Sequence, residues 1–273
     1  MGNCHDCTCP RGAQPGCCVL PREALSQVPQ LMTVKDYDRE GREHVFENGA
    51  KYVGEWVGDM RDGHGVQVWV DGAMYEGQWV NDQAHGCGRF QHGDGDVYEG
   101  IWRDDKAHGH GTYKHADGSK YEGQWKDDKQ DGEGCEIWPD GAEYKGQYRN
   151  GRKNGTGRFF WADGSSYSGS FAESNIHGVG VYRWGDGRSF EGQWRNNGMH
   201  GKGLFTWGDG RTYEGEYLDD QKSGHGIFRW PDGREYQGQW KDGKQHGTAV
   251  YSTAQGTKRT GFWEEGRCVQ WIT

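Results

Sequence analysis

The sequence is poor in the aliphatic side chains on which most protein cores depend. Its 273 residues include five Leu and five Ile, and Leu, Ile, Val and Phe together fall below the level that usually marks a disordered chain. The 14 Trp, 14 Tyr and 49 Gly argue against disorder, because a disordered chain does not carry so many large aromatic rings. A conventional α/β enzyme with an aliphatic core is therefore disfavoured, and the fold has to bury aromatic rings beside glycine.

Other absences narrow the functional class. No apolar run approaches the ~18–20 residues that a membrane-spanning helix needs. Acidic residues outnumber basic ones by 41 to 32, which gives a net charge of −9 and disfavours a nucleic-acid partner. Residues 1–20 have no continuous apolar core, so we predict no secretory signal and a reducing, cytoplasmic compartment.

A triplet made of an aromatic residue, any residue and Gly recurs at a constant interval of 23 residues. One further interval beyond the last complete triplet keeps Gly261 and Trp263 but has lost the Tyr. A repeat without insertion or deletion indicates a structural unit of fixed geometry. The triplets begin at Tyr52, Tyr75, Tyr98, Tyr121, Tyr144, Tyr167, Phe190, Tyr213 and Tyr236.

Each unit is typical of two short antiparallel strands. In residues 75–79, large apolar residues and Gly alternate with polar ones, which places Tyr75, Gly77 and Trp79 on one face. A polar link then leads through a Gly-x-Gly pair into a second alternating segment. An Asp-Gly pair such as Asp71-Gly72 follows, and its Gly supplies the positive φ that a hairpin turn needs. Successive hairpins are predicted to extend one sheet.

The unit Tyr-Glu-Gly-x-Trp-x-(Asp/Asn)-Asp-x-x-x-His-Gly-x-Gly-x-(Tyr/Phe)-x-Trp-x-Asp-Gly closely resembles the MORN repeat (membrane occupation and recognition nexus). The resemblance covers residues 45–266 and implies an all-β, elongated single-sheet solenoid of about ten β-hairpin repeats. It also implies a non-enzymatic role in scaffolding, in tethering to membranes or cytoskeleton and in self-association, and several family members are proposed to bind phosphoinositides. We expect a flexible, disordered, Cys-rich tail (1–44), the array (45–266) and a C-terminal cap (267–273).

The N-terminus has the pattern of a lipid anchor. Removal of the initiator Met would expose Gly2, the attachment point of myristate, although Asp6 stands where the acceptor pattern has Ser or Thr. One myristoyl chain binds a membrane only reversibly, and no polybasic stretch is present to strengthen it. Nearby cysteines would therefore have to carry palmitate. The predicted lipidation sites are Gly2, Cys4, Cys7 and Cys9.

Two other interpretations of these cysteines stay open. Cys4, Cys7 and Cys9 could bind zinc, with His5, Cys17 or Cys18 as the fourth ligand, but no matched second Cys-x-x-Cys pair is present. Alternatively, the thiols are incidental features of a disordered tail.

Charge changes sign sharply along the array. Residues 121–143 carry a net charge of −6, and residues 144–166 carry a net charge of +4. The basic unit could contact lipid phosphates or a partner, while ordinary solvated loop charge is the alternative. The residues concerned are Lys145, Arg149, Arg152, Lys153 and Arg158.

The end of the array suggests self-association into a homodimer. A terminal strand of a sheet leaves an edge that can pair with another chain, and Trp263 and Trp271 lie there. No Ser/His/Asp or Cys/His set lies outside the repeat pattern, and the periodic histidines are ~9–10 Å apart, too far to share a metal. We predict no catalytic residue, cofactor, metal or small-molecule substrate.

Together these features predict a non-enzymatic scaffold at the cytoplasmic face of a membrane, held by a myristoyl/palmitoyl anchor. Its surfaces would bind proteins and phospholipid. One alternative is a soluble structural component of a cytoskeletal or ciliary assembly. Another is a regulatory subunit that docks onto a separate enzyme such as a lipid kinase.

Overall fold

The computed structural model describes residues 40–272, in which all regular secondary structure is β-strand. The strands pair in antiparallel fashion and form one open sheet, so the predicted all-β fold of hairpin repeats is confirmed. The strands are β1 Glu40–Val45, β2 Lys51–Val57, β3 Met60–Val68, β4 Met74–Val80, β5 Gln83–Gln91, β6 Val97–Arg103, β7 Lys106–Lys114, β8 Lys120–Lys126, β9 Lys129–Ile137, β10 Glu143–Arg149, β11 Arg152–Phe160, β12 Ser166–Ala172, β13 Asn175–Arg183, β14 Ser189–Arg195, β15 Gly198–Thr206, β16 Thr212–Leu218, β17 Gln221–Arg229, β18 Glu235–Lys241, β19 Lys244–Ser252, β20 Lys258–Glu264 and β21 Arg267–Trp271.

The described residues form two compact units. The first contains residues up to 116 together with 124–128, and the second contains 117–123 and 129–272. Within each unit, consecutive strands pair antiparallel, as β4 does with β5 in the first unit and β14 does with β15 in the second. A short strand of seven residues alternates with a long strand of nine in every complete repeat.

The Asp-Gly pairs form the turn that the sequence predicts. In the loop between β3 and β4, the Trp69 N–H donates to the Ala73 carbonyl at 2.9 Å, and Gly72 has a φ of 86°. The Asp71 side chain accepts a hydrogen bond from the Ala73 N–H at 3.1 Å. The carboxylate therefore stabilises the loop while Gly supplies the left-handed backbone conformation.

A second turn, which the sequence analysis missed, closes the other end of each hairpin. Asn81 and Asp82 connect β4 to β5 with φ values of 47° and 66°. Two consecutive left-handed residues are typical of the tight I′ turn, which matches the twist of the flanking strands. The predicted polar link is therefore a two-residue turn followed by the first half of a long strand.

The Gly-x-Gly pair lies inside the long strand, at a bulge. The register between β4 and β5 shifts between Gly77 and Trp79. At this shift Gly86 has a φ of 68°, and the Cys87 N–H donates to the Gln78 side-chain oxygen at 2.8 Å. The bulge keeps the residues on either side of it facing the core.

Aromatic rings on one face of the sheet form the core. Tyr75 is 1% exposed, and its hydroxyl donates to the Gln78 carbonyl at 3.0 Å. Its ring crosses the backbone at Gly77 and meets Trp79 edge-on at 5.0 Å between centroids. The predicted placement of Tyr, Gly and Trp on one face agrees with this packing, which we call the aromatic face.

Candidate binding groove on the aromatic face

One position in each long strand faces the aromatic rings but changes in chemical character from repeat to repeat. It is the residue that pairs across the tight turn with the Trp, Tyr or Phe at the end of the short strand. We call this set the variable column. Its members include Arg61, Ala84, Ala107, Lys153, Ile176, Met199, Lys222, Gln245 and Cys268.

Arg61 covers rings of its own repeat and of the next one. Its guanidinium carbon lies 4.1 Å from the ring centroid of Trp79 and 5.8 Å from that of Tyr52. Its Nε donates to the Asp82 carboxylate at 3.1 Å, and Nη2 donates to the Asp82 carbonyl at 2.7 Å. A cation held over a ring face is attracted by the ring quadrupole, so Arg61 stabilises the aromatic face while shielding it.

Lys153 plays the same part in the second unit. Its ammonium lies 4.9 Å from the ring of Trp138, 5.0 Å from Tyr144 and 5.6 Å from Tyr148. It also donates to the Glu136 carboxylate at 2.7 Å. Burial raises the pKa of Tyr148, and the nearby Glu136 carboxylate raises it further.

Lys222 is a third member of the variable column that covers the aromatic face, and its ammonium is surrounded mainly by aromatic rings. Its ammonium is 5.1 Å from both Trp207 and Trp240 and 5.5 Å from Tyr213. Burial lowers the pKa of Lys222, and the nearby Arg211 lowers it further. The aromatic face can thus accept an ammonium group even where desolvation disfavours the charge.

Ala84 and Ala107 are too short to reach over the rings of the first unit as Arg61 does. Both methyl groups are buried, at 5% and 6% exposure, and they line a groove of about 600 Å³. Its aromatic walls include the rings of Trp69, Trp102 and Trp125.

Two carboxylates also line this groove. The Ala84 N–H donates to Asp105 Oδ1 at 2.7 Å, and the Ala107 N–H donates to Asp128 Oδ1 at 2.8 Å. The groove therefore combines aromatic rings, of which Trp69 and Trp125 are half-buried, with negative charge, a combination that suits a cationic group. The sequence analysis did not single out these four residues, although the replacement of Lys or Arg by Ala in a fixed repeat position is visible in the sequence.

The side chain of Tyr113, which also lines the groove, is held in place by Asp96. Its hydroxyl donates to Asp96 Oδ2 at 2.8 Å, and the same oxygen lies 3.0 Å from His115 Nδ1. Burial raises the pKa of Tyr113, and the Asp96 hydrogen bond raises it further. The Ala116 N–H and the Tyr113 hydroxyl lower the pKa of Asp96, so this carboxylate is ionised and holds the ring in place.

The structure divides the predicted basic cluster between two faces. Lys145 pairs in register with Arg158 on the face opposite the aromatic rings, and both are exposed. Arg149 pairs with Arg152, which forms an ion pair with Glu173. Lys153 lies on the aromatic face. Phospholipid or partner contact by the exposed members stays a prediction.

The two tryptophans predicted for self-association differ in exposure. Trp263 is 4% exposed and packs on Tyr236 at 5.1 Å, so it belongs to the core. Trp271 is 39% exposed in the last strand, β21, with Arg259 4.2 Å above its ring. Self-association through Trp271 stays a prediction.

Some predicted sites fall outside the described residues, namely Gly2, Cys4, Cys7 and Cys9. Within residues 40–272, no group of three or more His, Cys, Asp and Glu could hold a metal ion. The same residues contain no helix with the length and hydropathy needed to cross a bilayer.

A family model described as the MORN repeat matches nine consecutive segments, which together cover well over half of the chain. No curated protein matches the sequence. The matched segments are residues 52–74, 75–97, 98–120, 121–143, 144–166, 167–187, 190–210, 213–233 and 236–258.

Solved structures give weaker similarities. The TCP10 domain of Danio rerio CPAP, in complex with a peptide of STIL, is 12% identical, with coverage of 85% of this chain and 99% of that one and a TM-score of 0.45. The SAS-4 (dCPAP) TCP domain of Drosophila melanogaster, in complex with a proline-rich motif of Ana2, is 14% identical, with 78% and 99% coverage and a TM-score of 0.32. A catalytically inactive virginiamycin B lyase from Staphylococcus aureus is 13% identical, with 85% and 73% coverage and a TM-score of 0.15. These values are too low to support an argument about function.

Proposed function

The chain belongs to the MORN-repeat family, and we propose that it is a non-enzymatic scaffold that binds protein partners on its aromatic face and is held at the cytoplasmic face of a membrane by an N-terminal lipid anchor. The observation that carries the binding role is the aromatic groove beside Ala84 and Ala107. A pre-formed apolar groove with a few polar groups is the usual form of a recognition site.

The recurring polar residues support a scaffold because they stabilise the fold. Asp71 caps an Asp-Gly turn, Gln78 accepts a backbone N–H at a bulge, and Asp105 in a tight turn accepts the Ala84 N–H of the preceding repeat. The periodic histidines approach acids of neighbouring turns, as His85 Nδ1 does at 3.6 Å from Asp104. Groups engaged in backbone support in every repeat are poorly suited to one catalytic site.

The anchor rests on the N-terminal sequence. Myristate on Gly2 alone would give reversible binding, and palmitate on Cys4, Cys7 or Cys9 would supply the second chain that stable attachment needs. The anchor would bring the groove to a membrane surface, where a bound partner would be concentrated.

Metabolic labelling with a tagged myristate analogue tests the anchor, with membrane fractionation of the wild type and Gly2→Ala side by side. We expect label on the wild type, loss of label in Gly2→Ala, and loss of its membrane pool. A triple Cys4→Ser, Cys7→Ser, Cys9→Ser variant should keep the myristate label but leave the membrane more readily.

Gly41→Ala is the matched control, because a methyl group at Gly41 meets no atom within 4 Å. Absence of label, with both proteins in the soluble fraction, would refute the anchor and favour a cytoskeletal or ciliary scaffold. A stoichiometric enzyme that co-purifies with the soluble protein would instead support the role of regulatory subunit.

A further inference from the structure

The repeat itself shows which chemical group belongs over the rings of the groove. Around Arg61, the rings in contact are Phe46, Tyr52 and Trp79, and the carboxylate is Asp82. Adding one repeat of 23 residues to each number gives the surroundings of the next member of the variable column. Those surroundings consist of Trp69, Tyr75, Trp102 and Asp105, and all four line the groove around Ala84.

A second step of 23 residues gives the same result. The equivalents of the Arg61 contacts around Ala107 are His92, Tyr98, Trp125 and Asp128, and all four line the groove as well. The groove therefore contains two sets of residues equivalent to these rings and this carboxylate, with a methyl group in place of each cationic side chain.

One partner differs: Gln67, which accepts a hydrogen bond from Arg61 Nη1 at 3.0 Å, is replaced in the groove by Phe90 and Tyr113. Phe228 occupies the same position beside Lys222, so an aromatic ring there is compatible with a cation.

We propose that this groove binds a partner protein segment that places two Lys or Arg side chains over these rings, one beside Ala84 and one beside Ala107. The partner then supplies the cations that the chain supplies itself at Arg61, Lys153 and Lys222. This inference rests on the scaffold function proposed above and names the chemistry of its partner.

The carboxylates can serve the backbone and a ligand together. Asp82 Oδ1 accepts the Arg61 backbone N–H at 2.7 Å and the Arg61 Nε at 3.1 Å. Asp105 and Asp128 already accept the equivalent backbone N–H groups of Ala84 and Ala107. A guanidinium or ammonium from a partner would add the second hydrogen bond, which is charge-assisted.

The spacing of the two positions restricts the conformation of the partner. Ala84 and Ala107 lie on long strands two places apart in the sheet, a separation of about 9.6 Å. A polyproline II segment returns to the same side every three residues and advances about 9.3 Å in doing so. The partner therefore carries its basic residues at positions i and i+3 of an extended, proline-compatible segment.

Peptide titration of the full-length chain tests the inference. The probe is the acetylated and amidated peptide Gly-Arg-Pro-Pro-Arg-Gly, and the readout is the indole N–H resonances of Trp102 and Trp125 in an NMR spectrum. The comparison peptides replace both Arg by norleucine, or place the two Arg side by side before the two Pro. We expect the norleucine peptide to bind at least about tenfold more weakly, because two cation–ring contacts are lost.

Substitutions in the variable column locate the binding site. Ala84→Lys with Ala107→Lys should reduce probe affinity at least about tenfold, because the new side chains occupy both positions. Met199→Lys with Gln245→Lys adds the same charge to the same column of the second unit, and this matched control should bind the probe like the wild type.

A second double variant tests whether the carboxylate charges contribute to probe binding, without changing the stability of the fold. Asp105→Asn with Asp128→Asn removes both carboxylates, yet an Asn can keep the turn, because Asn197 Oδ1 accepts the Ile176 N–H at 2.8 Å in the equivalent place. We expect weaker probe binding, by about threefold or more, with an unchanged unfolding midpoint.

Three results would overturn the inference: no saturable binding of the arginine probe, equal binding of the norleucine peptide, or equal binding by the Ala84→Lys, Ala107→Lys variant. None of them depends on the lipid anchor. A chain that recruits partners in cells but ignores these probes would refute the cationic ligand and leave the scaffold proposal standing.

Discussion

Two glycines, Gly77 and Gly88, face the buried ring of Tyr75, and they are under different steric constraints. A methyl group at Gly77 would lie 2.5 Å from the Gly88 Cα and 2.7 Å from the Cys87 carbonyl oxygen, which are backbone atoms of the paired strand. A methyl group at Gly88 would mainly meet the Tyr75 ring. Ala249 occupies the place of Gly88 in a later repeat, so the ring can adjust where the backbone cannot.

Gly77→Ala is therefore expected to destabilise the protein more than Gly88→Ala does. Overpacking against fixed atoms costs about 1–3 kcal/mol, and we expect the first substitution at the upper end and the second at the lower end. Urea unfolding of both variants measures the difference, with Gly41→Ala as the unconstrained control. Equal losses for Gly77→Ala and Gly88→Ala would show that the paired backbone yields as easily as the ring.

Within the hairpin, the tight turns impose a positive φ on residues other than glycine. Asn and Asp occupy most of these positions and tolerate the left-handed conformation, since their side chains can bond the local backbone. Glu173 is an exception, with a φ of 50°, whereas the equivalent residue of the next repeat is Asn196, with a φ of 49°. The turn at Glu173 thus holds an unfavourable residue in the same geometry.

Exchanging these residues should have opposite effects. We expect Glu173→Asn to stabilise the protein by about 0.5–1 kcal/mol and Asn196→Glu to destabilise it by a similar amount. Loss of the Arg152–Glu173 ion pair should matter little, because both side chains are more than half exposed. Thermal and urea unfolding of the two variants provide the measurement, and changes of the same sign in both would contradict the strain argument.

Across the whole molecule, the buried tyrosines make stability sensitive to alkali. Burial raises the pKa of Tyr52, Tyr167 and Tyr236 to about 12, from an ordinary value near 10. An unfolded chain would release these protons at the lower value, so it binds fewer protons than the folded chain between pH 10 and pH 12. The stabilisation is complete below pH 10 and is lost as the pH rises through the folded values.

We therefore expect the free energy of unfolding to fall steeply above pH 10, with a slope of about 1.4 kcal/mol per pH unit for each tyrosine involved. The lowered pKa of Lys222 acts in the opposite direction, but it is one group against several. Urea midpoints between pH 8 and pH 12 test this expectation. Tyr167→Phe should show a smaller slope, and Phe190 shows that the column accepts a ring without a hydroxyl. A midpoint that does not change up to pH 12 would contradict it.

The sequence alone determined the repeat length, the strand alternation and the Asp-Gly turns. These follow from it because side-chain alternation and the need for a positive φ are local properties. The sequence also gives the chemistry of the variable column, since Arg61, Ala84 and Lys222 are separated by multiples of the 23-residue repeat.

The tertiary structure decided how those residues meet. Only strand pairing and the bulge show that the variable column faces the rings, that Lys153 joins the core while Lys145 points away from it, and that Asp105 stands beside Ala84. The tight turns formed by Asn-Asp and Asp-Asp pairs lack the Gly that marks a turn, so the Asn150-Gly151 and Asp242-Gly243 pairs did not stand out as members of a repeated series. The surroundings of Arg61 combine residues as far apart in sequence as Phe46 and Asp82, so they exist only after the sheet has formed.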